Sequence, residues 1–289
     1  MTTLSAILRT MRPRQWVKNL LVLAAPLAAG KILVPSVAAN TALAFVSFCL
    51  ISSAVYCVND VADLEADRAH PKKKFRPVAA GELSSKMALV VAAVLVAVAL
   101  LLASTTGWAL PVLLASYFAI QVAYAYRLKH EPVVDLAIVA SGFLMRGVAG
   151  GLAASLPISQ WFLLVTGFGA LFMVSGKRYS EMRALGNEAG TRKALVRYTA
   201  TYLRFVWSAA AAVTLVCYSL WAFEQARTSV FAWHTISIAA FTMGLLRYAV
   251  DIDAGEASAP EDIVLGDRWL QVIGLVWLGL VVLGVLGVG

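Results

Sequence analysis

Nine apolar stretches follow one another along this chain, each close to the roughly 20 residues that a helix needs to cross a bilayer, and no other feature restricts the fold so tightly. They fall at 17–36, 37–58, 87–104, 108–127, 132–153, 159–177, 202–223, 228–248 and 269–288. Of the 289 residues, 61% are hydrophobic and 14% charged, which leaves too little polar surface to coat a soluble globule. Lipid offers the backbone no hydrogen bonds, so stretches of this length must be helices. The expected fold class is all-α: a polytopic membrane protein of nine transmembrane helices, forming one integral-membrane domain over 1–289.

Charge placement orients those helices. The chain carries 24 Lys and Arg against 16 Asp and Glu. With a cytosolic N-terminus, 21 of the basic residues fall on the cytosolic side, Lys31 and Arg227 lie opposite, and Arg146 is left within a span. The positive-inside rule selects that orientation, and the longer connections 59–86, 178–201 and 249–267 then share the cytosolic face. Chemistry is expected there. Arg9, Arg12, Arg14 and Lys18 ahead of the apolar run 20–25 mimic a cleavable signal, but eight further spans favour a retained first helix. Cys49, Cys57 and Cys217 all lie in apolar stretches and read as small apolar residues. Glycines crowd the fifth stretch (Gly142, Gly147, Gly150, Gly151) and the ninth (Gly274, Gly279, Gly284, Gly287), as expected where helices approach closely in lipid.

The end of the second stretch is the most informative segment. Asn59, Asp63 and Asp67 are spaced i, i+4, i+8, with Asp60 beside them and Tyr56 one turn deeper, so on a helix they share a face. Carboxylates gathered at a bilayer edge repel one another unless a cation sits among them. All-oxygen ligands suit Mg2+, which binds through one or two carboxylates together with substrate phosphates. Asn59 and Asp63 are the expected metal ligands, with Asp60 and Asp67 ligating through water or orienting basic groups. After Pro71 stops the helix, Lys72, Lys73, Lys74 and Arg76 bring four cations next to the acids, a pairing that suits polyphosphate. The bland alternative is a solvated helix terminus with ordinary surface acids.

The pattern Asn59-Asp60-x-x-Asp63-x-x-x-Asp67, followed by His70-Pro71 and Lys74-x-Arg76-Pro77, resembles the first aspartate-rich motif of the UbiA superfamily of intramembrane prenyltransferases. The resemblance covers essentially the whole chain. It implies a nine-helix fold around a central cavity open to the cytosol, Mg2+-bound diphosphate and departure of pyrophosphate. Members that act on aromatic acceptors carry a second aspartate-rich motif after the sixth helix. Here that loop holds no aspartate; it reads Lys177-Arg178-Tyr179-Ser180-Glu181-Met182-Arg183, then Arg192-Lys193 and Arg197. A basic second pole suits extra phosphate groups or a phosphorylated acceptor, although a positive-inside loop facing anionic lipid would look similar.

Three segments, Arg12-Pro13-Arg14-Gln15-Trp16-Val17-Lys18-Asn19, Ser175-Gly176-Lys177-Arg178-Tyr179, and Arg247-Tyr248-Ala249-Val250-Asp251 with Pro260-Glu261-Asp262, are similar to an actinobacterial branch of the superfamily. That resemblance implies phosphoribosyl pyrophosphate as donor, a polyprenyl (decaprenyl) phosphate as acceptor, and a bacterial inner (plasma) membrane location. It also implies a product that serves as lipid precursor of the arabinose donor for the cell envelope. Membrane lipid is the remaining partner, no nucleic acid is expected, and a homo-oligomer is compatible with the sequence.

A phosphate monoester is mostly dianionic at neutral pH and needs no general base as nucleophile. This suits a chain whose histidines, His70, His130 and His234, form no obvious nucleophile–base pair. His130 reads as a phosphate contact or interfacial residue. Lys18 and Tyr56 are expected to reach the substrate from the membrane side, while Lys74, Arg76, Lys177 and Arg178 cover phosphate oxygens. Arg146, mid-span, must face a cavity or a partner, either as a phosphate contact or in a structural pair. The acids Asp251, Asp253, Glu256, Glu261, Asp262 and Asp267 read as a solvated loop, with Asp251 the exception because it lies nearest the membrane. Two other functions stay open on the residues: a prenyltransferase with an aromatic acceptor, and a lipid or ion transporter.

Overall fold

Apolar runs that keep proline out of their interiors become long helices. Where proline occurs it sits in the first turn, as Pro35 does in Pro35–Ala62 and Pro111 in Ala109–Tyr126, at positions whose N–H has no helical partner. The computed structural model describes residues 3–185, 197–226, 231–257, 263–264 and 266–287. All its regular elements are helical: α1 (Thr3–Met11), a 3-10 helix (Pro13–Leu23), α2 (Ala24–Ala28), α3 (Pro35–Ala62) and α4 (Leu64–Ala69) open the chain. A 3-10 turn (Lys73–Phe75), α5 (Ser85–Ser104), α6 (Ala109–Tyr126), a 3-10 turn (Leu128–His130) and α7 (Val134–Ala153) follow. The chain then continues as α8 (Gln160–Leu185), α9 (Ala200–Ala226), α10 (Trp233–Ala254) and α11 (Arg268–Leu286). Ser84 caps α5 by accepting the Met87 N–H, and Asp267 caps α11 by accepting those of Trp269 and Leu270.

Among the described residues, seven helices are long and apolar enough to cross a membrane: α3, α5, α6, α7, α9, α10 and α11. The protein is all-α and multi-pass, and seven of the nine expected spans meet that criterion among the described residues. Helix α8 has 26 residues, yet Gln160, Thr166, Ser175 and Lys177 dilute its apolar run. The stretch 17–36 is no continuous α-helix. Pro13 starts a 3-10 helix, α2 adds five residues around Pro26, and Gly30 at φ +65° ends it before Pro35 begins α3.

The described chain divides into two compact units. The first comprises Met1–Lys129 and Met145–Pro157. Its core packs Phe48, Ile51 and Val55 of α3 against Leu110, Leu114 and Tyr117 of α6 and Ala149 and Ala153 of α7. Gly150 lies so close to the 3-10 helix that a Cβ there would fall 1.9 Å from the Val22 carbonyl oxygen, so only glycine fits. The second unit comprises His130–Leu144 and Ile158–Gly289. Its core joins Phe172 and Tyr179 of α8, Leu203 of α9, and Tyr248 and Ile252 of α10. Gly284 packs on the His234 ring, 2.4 Å from a would-be Cβ, whereas one at Gly274 or Gly279 would meet nothing within 4 Å. The glycine stripe of the last stretch is a packing surface only in part.

Helix α3 buries 67% of its apolar window inside the protein, against 6% for α11. A helix surrounded by protein can carry polar groups into the membrane region; one facing lipid cannot.

Candidate active site

The acidic segment is nearly, but not fully, one helix. Helix α3 stops at Ala62, and Asp63 turns to φ −97° and ψ 10° before α4 resumes at Leu64. The Asp63 N–H still donates to the Asn59 carbonyl (2.9 Å) and the Asp67 N–H to that of Asp63 (2.8 Å). The shared face expected from the spacing therefore survives a bend at its middle residue. Helix α4 ends at His70, whose Nδ1 accepts the backbone N–H groups of Lys72 (3.1 Å) and Lys73 (3.3 Å). His70 organises the turn into the basic run.

That turn returns the chain so that Arg76 donates to Asp67 Oδ2 (2.6 Å) and Asp60 Oδ1 (3.4 Å). A second guanidinium, from Arg12, also donates to Asp60 Oδ1 and lies over the Tyr56 ring, 4.9 Å from its centroid. Lys129 donates to Asp63 Oδ1. Asp60 and Asp67 are each 1% exposed. Burying two carboxylates this deeply is tolerable because cations neutralise them. Asp60 Oδ2 and Asn59 Oδ1 are nevertheless buried with no hydrogen-bond partner. Each is a buried hard oxygen left unsatisfied, the condition that a cation would relieve.

Among the described residues no three His, Cys, Asp or Glu side chains are grouped to hold a metal by themselves. The donor set fits Mg2+ in the mode that relies on few protein oxygens and completes its shell with water and substrate phosphate.

The 3-10 helix is fastened to α3 by side chains. Trp16 Nε1 donates to Ser53 Oγ (3.1 Å), the Ser53 hydroxyl donates to the Met11 carbonyl (3.0 Å), and Asn19 Nδ2 donates to Ser52 Oγ (3.3 Å). Arg12, between the two N-terminal helices, has φ 53° and ψ 61°, a left-handed conformation that residues with a Cβ seldom adopt. The fastening aims its side chain at Asp60. Arg146 is 7% exposed; its Nε donates to Asn19 Oδ1 (2.7 Å) and its Nη2 to the Tyr117 hydroxyl (2.9 Å), with Phe48 and Tyr117 rings beneath it. Partners of this kind make a mid-membrane cation affordable.

The other expected residues take separate places. Lys74 is exposed and lies over the Phe75 ring (5.2 Å), outside the ion pairs of the acids. Lys18 is partly buried on the 3-10 helix beside Asn19. His130 is exposed at the end of the 3-10 turn that carries Lys129.

In the second unit, Arg178 is 5% exposed and grips Asp135 with two bonds, Nε to Oδ2 (2.8 Å) and Nη2 to Oδ1 (2.9 Å), while Nη1 donates to Glu181 (2.8 Å). Its guanidinium is thus engaged by carboxylates of its own unit. Lys177, 34% exposed, lies 3.9 Å from Glu181. Further along, Arg204 donates to Tyr179 (2.8 Å) and Asp253 (2.9 Å), and Arg183 donates to the Asp253 carbonyl. Arg247 donates to Asp267 (2.6 Å), which holds that carboxyl below its ordinary range. Burial pushes the Tyr198 phenol up, and its oxygen accepts the Val133 N–H (2.7 Å), where the backbone is at φ 67°. Asp251 Oδ2 is buried and unpartnered, so this acid departs from a solvated-loop reading. Glu188, Arg192, Lys193, Arg227, Pro260, Glu261 and Asp262 lie outside the described residues.

Residues 20–264 match the model of the UbiA prenyltransferase family. The chain belongs to that family. Within it, the chain is 48% identical to a protein of Mycolicibacterium smegmatis named decaprenyl-phosphate phosphoribosyltransferase, over 95% of this chain and 91% of that one. Proteins of the same name from Corynebacterium glutamicum (48%, covering 96% and 86%) and Mycobacterium tuberculosis (49%, covering 96% and 93%) are equally similar. Among solved structures, a UbiA homolog from Archaeoglobus fulgidus bound to GPP and Mg2+ superimposes with a TM-score of 0.76 at 17% identity, covering 96% of this chain and 98% of that one. At that identity the likeness shows a UbiA fold.

Sequence reasoning placed the acids of this UbiA chain but missed two of their partners, Arg12 and Lys129, and, in the second unit, the partner of Arg178, Asp135. Arg12 lay within a segment noted for its similarity and was given no role. Lys129 was counted only as a positive-inside charge, and Asp135 had no assigned partner.

Proposed function

We propose that this protein transfers the 5-phosphoribosyl group of phosphoribosyl pyrophosphate to a polyprenyl phosphate, of the decaprenyl class, and releases pyrophosphate. The observation that carries the reading is 48% identity over 95% of the chain to a decaprenyl-phosphate phosphoribosyltransferase. The family match spans residues of both compact units, which supports treating 1–289 as one functional domain. The excess of Lys and Arg on the loops that carry the acids supports a cytosolic site and a multi-pass place in the bacterial plasma membrane.

Asn59 and Asp60, through their unsatisfied oxygens, and Asp63 would hold Mg2+. When bound, the ion neutralises charge on the departing diphosphate. Asp67 and Arg76 brace Asp60, so Arg76 acts through a carboxylate rather than standing free for phosphate. Exposed Lys74 contacts diphosphate oxygens, and Lys18 and Tyr56 line the approach from the membrane. Lys177 supplies positive charge for a phosphate at the end of α8, while Arg178 holds that end in shape through Asp135. Arg146 fixes the 3-10 helix through Asn19 and thereby the strand of contacts leading to Arg12. The acceptor phosphate is its own nucleophile, so no residue is assigned as general base.

Incubation of the purified protein with Mg2+, a polyprenyl phosphate and ribose-labelled phosphoribosyl pyrophosphate tests this reading. Label should move into the organic phase with release of an equal amount of pyrophosphate. Prenylation of an aromatic acceptor from a prenyl diphosphate, without ribosyl transfer, would contradict it.

A further inference from the structure

The acidic cluster is electrically balanced before any ligand arrives. Asp60, Asp63 and Asp67 face Arg12, Arg76 and Lys129, three carboxylates to three cations. A bare divalent ion entering this set would create a surplus of two positive charges. A divalent ion that arrives carrying a diphosphate would not. The three pairings differ in how firmly they are closed. Asp60 and Asp67 are 1–2% exposed and held by arginines, with Arg76 bridging both and Arg12 adding a second grip on Asp60. Asp63 is 34% exposed, Lys129 is 22% exposed, and one ammonium makes the contact. A guanidinium fork is preorganised for carboxylates, whereas an ammonium on a flexible four-carbon stem moves readily between anions.

We infer that Lys129 is an electrostatic interlock: it covers Asp63 against free metal and swings to the diphosphate when metal and diphosphate arrive together. This rests on the proposed metal–diphosphate site and adds an order of events to it. Lys129 opposes binding of the ion alone and favours binding of the ion with its polyanion. The opposite signs of these two effects separate an interlock from a lysine that merely supports the fold.

The test uses Mn2+ as a paramagnetic stand-in for Mg2+ and inorganic pyrophosphate as the diphosphate, with the full chain in detergent and free Mn2+ followed by electron paramagnetic resonance. A unit charge adjacent to a binding group shifts its affinity by about tenfold or more. Lys129→Met should therefore take up Mn2+ about tenfold more tightly than the wild type without pyrophosphate, and about tenfold less tightly with it. Lys129→Arg keeps the charge over Asp63 and should stay within about threefold of the wild type without pyrophosphate, whereas its carboxylate-gripping fork should weaken Mn2+ uptake with pyrophosphate. Unchanged or weaker Mn2+ uptake by Lys129→Met without pyrophosphate overturns the interlock. Lys129→Met is compared at the wild-type Tm, and a damaged fold is told apart because it lowers Tm and weakens uptake in both conditions alike. Asp63→Asn separates this from failure of the underlying site. If pyrophosphate does not promote Mn2+ uptake by the wild type and Asp63→Asn binds equally, both the site and the interlock fall.

Discussion

Each unit holds a buried arginine–aspartate arrangement, and the two differ in what they leave over. In the second unit both oxygens of Asp135 are taken by Arg178, and the third guanidinium nitrogen is taken by Glu181. In the first, two arginines converge on the same oxygen of Asp60, while Oδ2 and the neighbouring Asn59 Oδ1 accept nothing. A closed bidentate pair returns the cost of desolvation through its own bonds and has no capacity for a ligand. An open one keeps that capacity at some expense of stability. The same residue types thus make a closed pair in one unit and leave acceptor oxygens open in the other.

The sharpest way to break this comparison is Asp135→Ala, which removes two of the carboxylate bonds that the buried Arg178 makes. It should cost about 3–5 kcal/mol of stability and lower the Tm of the detergent-purified protein by many degrees. A Tm equal to that of the wild type would mean that the closed pair is no framework. At the open site the loss should appear in turnover instead. Asp60→Asn and Asp63→Asn should each reduce ribosyl transfer by about 100- to 1000-fold, or about 2.7–4 kcal/mol, with little change in Tm. Arg12→Lys keeps the charge but loses the fork. By analogy with partners that orient metal ligands, apparent Mg2+ affinity should fall by about 10- to 100-fold, read from the Mg2+ dependence of transfer. The smallest effect belongs to Arg197→Ala, whose pair with Glu131 is 62% and 58% exposed; neither Tm nor transfer should move measurably.

How much of this was legible in the sequence follows from the range of each interaction. The long helices were readable because hydropathy is local, and so was the acid face, because Asn59, Asp60, Asp63 and Asp67 lie within nine residues. The stretch 17–36 misled for the same reason: its hydropathy suits a span, whereas Pro13, Pro26 and Gly30 set a 3-10 path that composition does not register. The partners of the acids were out of reach. Arg12 is 48 residues from Asp60, Lys129 is 66 from Asp63, and Asp135 is 43 from Arg178. Spacing along a chain carries no record of such pairings. It is these pairings, rather than the acids themselves, that show Arg76 and Arg178 each donating to carboxylates.

The open carboxylate side of α3 should take a metal. The most direct test is the Mg2+ dependence of ribosyl transfer in the wild type and in Asp60→Asn, measured on folded protein of equal Tm. Half-maximal activity in the variant should require at least about tenfold more Mg2+, or activity should be lost throughout the titration. Superimposable Mg2+ curves with equal maximal rates would contradict it.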